Sequence, residues 1–359
     1  MKVIVVAGGT GGHIYPALAI IHKIEEKEPG SEILYIGTTD RMEKDIIPKL
    51  GYRFVGLEMK GLNRKNIFSN IKVFSMYSKA IKEAKKIILD FHPDIVVGAG
   101  GYITAPVLYA AHKCRIPILI HEQNSVPGIS NKFISKFADK ICVSLPKSVN
   151  LFPKEKVVYT GNPRSEEILS VPKISKSSLG FNDNRKLVVF VMGSLGSTTM
   201  TEKLKETIPS FQNKNYQVLI ITGKAYFDDY SHIDVPDNVK IVPFMDNLIQ
   251  LLKSSDLIVS RAGASTIAEI TAIGLPAILV PSPYVTNNHQ LKNALDLEEV
   301  NACKIIEEKD FSKDKIIDEI DKIFDNKESY LDMVKNSKSL GIMDSATRIY
   351  SEIEKIIKK

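Results

Sequence analysis

Glu269 lies three residues after Thr266 and four after Ser265, so these three side chains share one face of a helix opening at Ser265-Thr266. A carboxylate in that place can accept from the two hydroxyls of a ribose. The N–H groups at the start of the same helix, aided by its dipole, suit a diphosphate. Thr266-Ile267-Ala268-Glu269 also matches a capping box, which needs no ligand. Gln290 and Asn293, three apart on the next helical stretch, can offer amides to a sugar.

A second set of candidates lies near the start of the chain. Gly8-Gly9-Thr10-Gly11-Gly12-His13 follows an apolar run; it is followed by no GK[ST] and does not fit GxGxxG in register. Dense glycine instead allows close backbone approach to a bulky ligand, with N–H groups turned to oxygens. His13 opens the next helix, either as a surface or capping residue or as a general base at the loop's edge. Gly98-Ala99-Gly100-Gly101-Tyr102 and His121-Glu122-Gln123-Asn124 are two further clusters at strand ends. Glu122 is either a salt-bridge partner or an acid–base group, and Asn124 either a turn former or a ligand contact. No Asp-x-Asp pair follows a strand to hold a divalent metal, so no metal or other cofactor is expected. Phosphate charge then falls to helix ends and to a cation such as Arg164 or Arg261.

The elements that must position these groups alternate. Apolar runs at Val3–Ala7, Ile33–Ile36, Ile95–Gly98, Ile116–Ile120, Lys140–Val143 and Val157–Tyr159 are separated by helical stretches. Six more follow at Leu187–Val191, Gln217–Ile221, Val239–Val242, Leu257–Val259, Ala277–Val280 and Ala302–Ile306. Short continuous apolar strands between helices indicate an α/β class with parallel sheets covered on both faces. Gly161-Asn162-Pro163-Arg164 and the polar stretch to Arg185 read as a linker. The halves echo one another: VIVVAGGTGGH parallels VVFVMGSLGST, and VVGAGGYITAP parallels LIVSRAGASTIAE. Two Rossmann-like domains facing each other across a cleft are expected, residues 1–162 and 163–343. Residues 344–359 form an amphipathic helix expected to pack back on the first domain.

A chain of 359 residues with 44% hydrophobic and 25% charged residues has enough for two ordinary globular cores. No apolar run reaches about 20 residues, and the start reads as a strand and not as a signal peptide. Cys114, Cys142 and Cys303 have no metal-binding spacing and read as small core residues, which points to the cytoplasm. Net charge is +6, yet Lys60 to Lys86 holds eight basic residues against one acid, +7 locally. Ile67, Phe68, Ile71 and Phe74 recur there at helical spacing, with Val73, Met76 and Tyr77 nearby. The stretch is either an ordinary amphipathic helix with a solvated lysine face or a surface that rests on anionic lipid. No nucleic-acid partner is expected.

Taken together, GGTGGHIYPALA, GAGGYITAP, HEQN, TGNPR, GSLGS, SRAGASTIAEI with GLPAILVP, and NHQLKNA resemble the MurG family of peptidoglycan N-acetylglucosaminyltransferases, in that family's order over residues 8 to 294. The resemblance implies a GT-B fold. It also implies a metal-independent, inverting transfer from UDP-GlcNAc to the C4 hydroxyl of MurNAc in undecaprenyl-pyrophosphoryl-MurNAc-pentapeptide, at the cytoplasmic face of the membrane. Thr10, Gly11, Gly12, Asn124, Arg164, Ser194, Ala264 to Glu269 and Gln290 match the family's donor-binding pattern. Within it Glu269 would hold the ribose, Ser194 and the Ser265 helix end the diphosphate, Gln290 with the Ala264 N–H the GlcNAc, and main chain near Met245 the uracil. The acceptor would approach His13, Gly100 and Gly101. The chain departs from the pattern at Met192, where glycine is expected, and at Ser197, where alanine is usual; His289 stands where glutamine also occurs. Two other readings compete: a UDP-GlcNAc 2-epimerase, which needs acid–base carboxylates over C2, and a non-catalytic UDP-sugar binding module, which has no use for a second glycine-lined pocket.

Overall fold

A computed structural model describes residues 1–61, 70–192 and 197–358. Ser194 lies outside the described residues, as do Arg64, Lys65, Ile67 and Phe68 of the basic stretch and the side chains of Ile71 and Lys72. The chain divides into two compact units, Met1–Arg164 with Asp344–Lys359, and Ser165–Met343.

The first unit is built on a seven-stranded sheet: β1 (Lys2–Val6), β2 (Glu32–Thr38), β3 (Arg53–Leu57), β4 (Ile95–Gly98), β5 (Ile118–Glu122), β6 (Lys140–Val143) and β7 (Val157–Tyr159). Their order is β3-β2-β1-β4-β5-β6-β7, with every pair parallel. The Val/Ile runs are buried on both faces, Val3 to Val6 completely, as parallel strands sandwiched by helices must be. The second unit repeats the plan with β8 (Lys186–Val191), β9 (Tyr216–Ile221), β10 (Val239–Val242), β11 (Leu257–Ser260), β12 (Ala277–Leu279) and β13 (Cys303–Ile305), in the order β10-β9-β8-β11-β12-β13. In each sheet the strand order reverses beside the first strand, between β1 and β4 and between β8 and β11. Connections leave in opposite directions there and open a crevice at the carboxyl edge.

Three expectations are corrected. β3 escapes the apolar-run reading because Arg53 and Gly56 interrupt it; as an edge strand paired only with β2, it needs one covered face. β5 begins at Ile118, not Ile116, because Pro117 has no N–H for the ladder. At its other end β5 runs on past Ile120, and the ladder to β6 pairs His121 with Cys142 and Glu122 with Val143, which places both inside the sheet. The polar stretch after Arg164 is no free linker: Phe181 is buried, and Lys176 pairs with Asp256 at 2.7 Å within the second unit.

The terminal helix Ser345–Ile357 belongs to the first unit. Ile349, Tyr350 and Ile353 join the buried cluster of Val3, Val5, Ile14, Ile21 and Tyr35. Helix Asn70–Phe91 turns Ala80, Ala84, Ile88 and Phe91 into the other core of that unit, with Met76 and Tyr77 packed against it. Met76 and Tyr77 are thus removed from the surface face expected of them, whereas Phe74 is 63% exposed.

Candidate active site

In the first unit, three strand ends meet at the switch point. After β1 the chain turns through Gly8, Gly9 and Thr10 into helix Gly11–Lys27. Gly8 N–H donates to the Gly100 carbonyl at 3.3 Å, and a Cβ on Gly101 would fall 2.4 Å from the Gly8 oxygen. Only glycine fits that approach. Thr10 is the N-cap but its side chain caps nothing. The first helical bonds run from His13 and Ile14 N–H to the Thr10 carbonyl, which leaves the Gly11 and Gly12 amides at the helix's open end. The His13 ring lies against Gly100, where a Cβ would meet Cδ2 at 2.5 Å. Its Nδ1 stands 3.1 Å from the Gly8 carbonyl. A carbonyl only accepts, so Nδ1 carries the proton; when the ring is neutral its lone pair is then on Nε2, the form a general base needs. Tyr102 packs half-buried against the core beside this loop.

The residues of HEQN hold this edge together. Glu122 is buried and accepts four hydrogen bonds: Asn124 N–H at 3.0 Å and Nδ2 at 3.2 Å on Oε1, Gly128 N–H and Asn131 Nδ2, both at 2.9 Å, on Oε2. The four partners are amides of the segment 124–131 and none is a cation, so the geometry is that of a loop organiser, with Asn124 one of the groups it holds. His121 is fully buried. Nε2 donates to the Gly161 carbonyl at 3.2 Å, and Nδ1 accepts from Gln123 Nε2 at 3.0 Å, which also reaches the Ala99 carbonyl at 2.9 Å. Burial pushes the His121 pKa down to about 4, so the ring is neutral.

The second unit offers a barer helix end. After β11, Gly263 caps helix Ala264–Ile273, which stops at Gly274 in the left-handed region. The first intrahelical bond runs from Ile267 N–H to the Gly263 carbonyl at 2.9 Å, which leaves the Ala264, Ser265 and Thr266 amides outside the helical ladder. The capping-box expectation is corrected: Thr266 stands inside the first turn, three residues past the N-cap, and cannot cap it. Ser265 Oγ is buried without a hydrogen-bond partner among the described residues, next to those amides. Thr266 and Glu269 are partly exposed on the same helix. Gln290 Oε1 accepts from Ser282 N–H at 2.8 Å, which fixes the amide group and turns its NH2 into the outward donor. His289 Nδ1 donates to the Thr286 carbonyl at 2.9 Å. Met245 is half-buried in irregular chain beyond β10.

Two expected ligand contacts are corrected here. Asn293 is fully buried and donates to the Ala262 carbonyl at 3.3 Å, bracing the turn and not facing a sugar. Arg261 is no phosphate cation: its Nη2 lies 2.5 Å from Glu308 Oε2 and 3.0 Å from Ser197 Oγ, while Nη1 donates to the Val280 carbonyl at 3.1 Å. Buried opposite charge neutralises it. Arg164, in the first unit, keeps its guanidinium 5.6 Å from the Tyr15 ring centroid on helix Gly11–Lys27.

Residues 3–143 match the glycosyltransferase family 28 N-terminal domain and residues 187–349 its C-terminal domain. A UDP-N-acetylglucosamine–N-acetylmuramyl-(pentapeptide) pyrophosphoryl-undecaprenol N-acetylglucosamine transferase of Bacillus cytotoxicus is 43% identical over the full length of both chains; that of Bacillus subtilis is 40% identical, also over both full lengths. The crystal structure of Acinetobacter baumannii MurG superposes with a TM-score of 0.80 at 27% identity, covering 99% of each chain. The chain belongs to the MurG family. A putative UDP-N-acetylglucosamine 2-epimerase from Listeria monocytogenes, at 16% identity and a TM-score of 0.72, shares the fold alone. The family's two-domain GT-B architecture accounts for the paired sheets, and the epimerase reading loses its footing.

Beyond the motifs that mark the MurG family, sequence reasoning missed two groups. Ser197, noted only as a departure, caps helix Thr198–Thr207 through Met200 N–H at 3.4 Å and also accepts from Arg261. Glu43 is fully buried beneath the Gly8-Gly9 turn. Nothing in the spacing around Glu43 marks it. The one available signal was a pair of glycines, Gly8 and Gly37, at the ends of neighbouring strands.

Proposed function

We infer that this chain transfers N-acetylglucosamine from UDP-GlcNAc to the C4 hydroxyl of MurNAc in undecaprenyl-pyrophosphoryl-MurNAc-pentapeptide, making the β-1,4-linked disaccharide of peptidoglycan synthesis. The observation that carries this reading is the full-length similarity to transferases of that name. The second unit takes the donor. Its helix end at Ala264–Thr266 receives the diphosphate, Glu269 the ribose, Gln290 the sugar and main chain near Met245 the uracil, with Ser194 joining the diphosphate. The first unit takes the acceptor at Gly100, Gly101 and Tyr102. His13 Nε2 removes the C4 hydroxyl proton as that oxygen attacks the anomeric carbon from the face opposite UDP. The C1–O bond to UDP breaks, and the configuration inverts. An epimerase would need carboxylates working over C2, and Glu122 is already committed to four loop donors.

The lipid-linked acceptor implies peripheral attachment to an anionic membrane at its cytoplasmic face. None of the described helices is long and apolar enough to cross a bilayer. Helix Asn70–Phe91 supports contact from one side: Phe74, Lys82, Lys85 and Leu89 are exposed at helical spacing along one face.

The test follows UDP release from UDP-GlcNAc with and without a MurNAc-pyrophosphoryl lipid. Release that requires the lipid and yields a β-linked disaccharide is expected. Interconversion at C2, or binding with no turnover, would overturn the reading.

A further inference from the structure

Glu43 opens helix Glu43–Lys49 and is the buried carboxylate nearest the glycine turn. Its Oε1 accepts from Thr38 N–H at 3.0 Å and Thr38 Oγ at 2.7 Å; its Oε2 accepts from Gly9 N–H at 3.2 Å. All three partners donate, a pattern only an acceptor at both ends can satisfy. The backbone is cleared for this side chain on two sides. A Cβ on Gly8 would stand 2.5 Å from Oε1, and one on Gly37 would stand 2.6 Å from Cγ. Gly9, the residue held, lies at φ 94°, a conformation that glycine adopts freely and that the Glu43 bond selects. The adjoining Gly8 carbonyl is the group that accepts from His13 Nδ1.

We propose that Glu43 is a positioning residue: by pinning Gly9 it aims the Gly8 carbonyl at His13 and holds the imidazole with its proton on Nδ1 and its lone pair on Nε2. The proposal rests on His13 acting as the base, but the contact itself does not. A glutamine at position 43 presents an NH2 to a donor whichever way it turns. With its carbonyl on Thr38, it sets two donors face to face at Gly9 and releases the turn.

The experiment pairs Glu43→Gln with His13→Ala and the milder Thr38→Val, which removes one donor and leaves the carboxylate. Long-range proton–nitrogen spectra of histidine-labelled protein read the tautomer directly, and the His13 signal among seven histidines is the one missing from His13→Ala. Native protein should show a single Nδ1–H form and Glu43→Gln a mixture. Turnover should fall by roughly ten- to a hundredfold, the loss expected when a reacting group moves by about 1 Å, with UDP-GlcNAc affinity unchanged. An unchanged His13 tautomer in Glu43→Gln overturns the proposal whatever the activity; so does an altered tautomer with full turnover, provided that His13→Ala is inactive. Should Glu43→Gln not fold, the same readouts on Thr38→Val decide, with a smaller loss expected in the same direction. Full turnover in His13→Ala would end the general-base reading alone, because the tautomer still reports on Glu43.

Discussion

Glu269 is partly exposed on the second turn of its helix, with the open amides of Ala264, Ser265 and Thr266 one turn below it. With the capping box gone, the helix start gives no reason for a carboxylate there, and the proposed ribose contact is open to a direct test. Glu269→Ala should weaken UDP and UDP-GlcNAc alike, because both carry the ribose. Charge-assisted bonds of this kind contribute roughly 1.5–3 kcal/mol, about ten- to a hundredfold in affinity by calorimetry. Unchanged affinity for both would return Glu269 to a structural role. His121 makes a prediction about pH. Its folded pKa, about 4, lies below the ordinary 6.5, so the unfolded chain binds the extra proton between those values. The stability from the neutral ring is therefore complete above about pH 6.5 and is lost as pH falls toward 4, by roughly 2 kcal/mol at about pH 5. Urea midpoints at about pH 7.5 and pH 5 should separate less in His121→Gln than in the native protein.

Helix Asn70–Phe91 divides its labour by face. Ala80, Ala84 and Ile88 pack inward, and Lys79 is occupied on the surface by Glu58 at 3.6 Å and Glu83 at 3.8 Å. Lys82 and Lys85, flanked by Phe74 and Leu89, are exposed, and under the proposed peripheral attachment theirs is the face that would meet lipid. Each lysine near an anionic surface adds about 1 kcal/mol of salt-sensitive attraction. Lys82→Glu with Lys85→Glu should release the protein from anionic vesicles in a sedimentation assay while UDP binding stays intact. Binding indifferent both to salt and to these reversals would rule this face out.

At the scale of the molecule, the chain's last helix completes the core of the unit its first strand begins. Ile349 and Ile353 are fully buried beside Val3, Val5 and Ile21, and Tyr350 bonds Glu28 at 3.1 Å. Truncating such a side chain to alanine costs about 2–5 kcal/mol through lost transfer energy and the cavity left behind. Ile353→Ala should therefore lower the unfolding midpoint of the first unit, read by hydrogen exchange on β1 and β4. UDP binding at the Ala264–Ile273 helix should persist. Protection lost equally in β8 and β11 would mean that the two units unfold as one.

Local chemistry made much of this legible from the residues in order. Val/Ile runs bounded by glycine marked most strands, because a parallel strand buried on both faces has no polar alternation to hide it. The glycine loops marked the strand ends where backbone must approach backbone, at Gly8 and Gly101 above all. Tertiary contact alone decided what the charged and amide groups do. Arg261 and Asn293 looked like ligand contacts because a guanidinium or an amide near a turn is the same in sequence whether it faces solvent or a partner such as Glu308 or the Ala262 carbonyl. His121 and Glu122 lie inside the sheet because β6 pairs with β5 as far as Cys142 and Val143. Glu43, remote in sequence from both Gly9 and His13, acquired a partner at Gly9 only when β1 and β2 paired. Periodicity and spacing record neighbours along the chain; the hydrogen bonds that fix this site join groups that folding brings together.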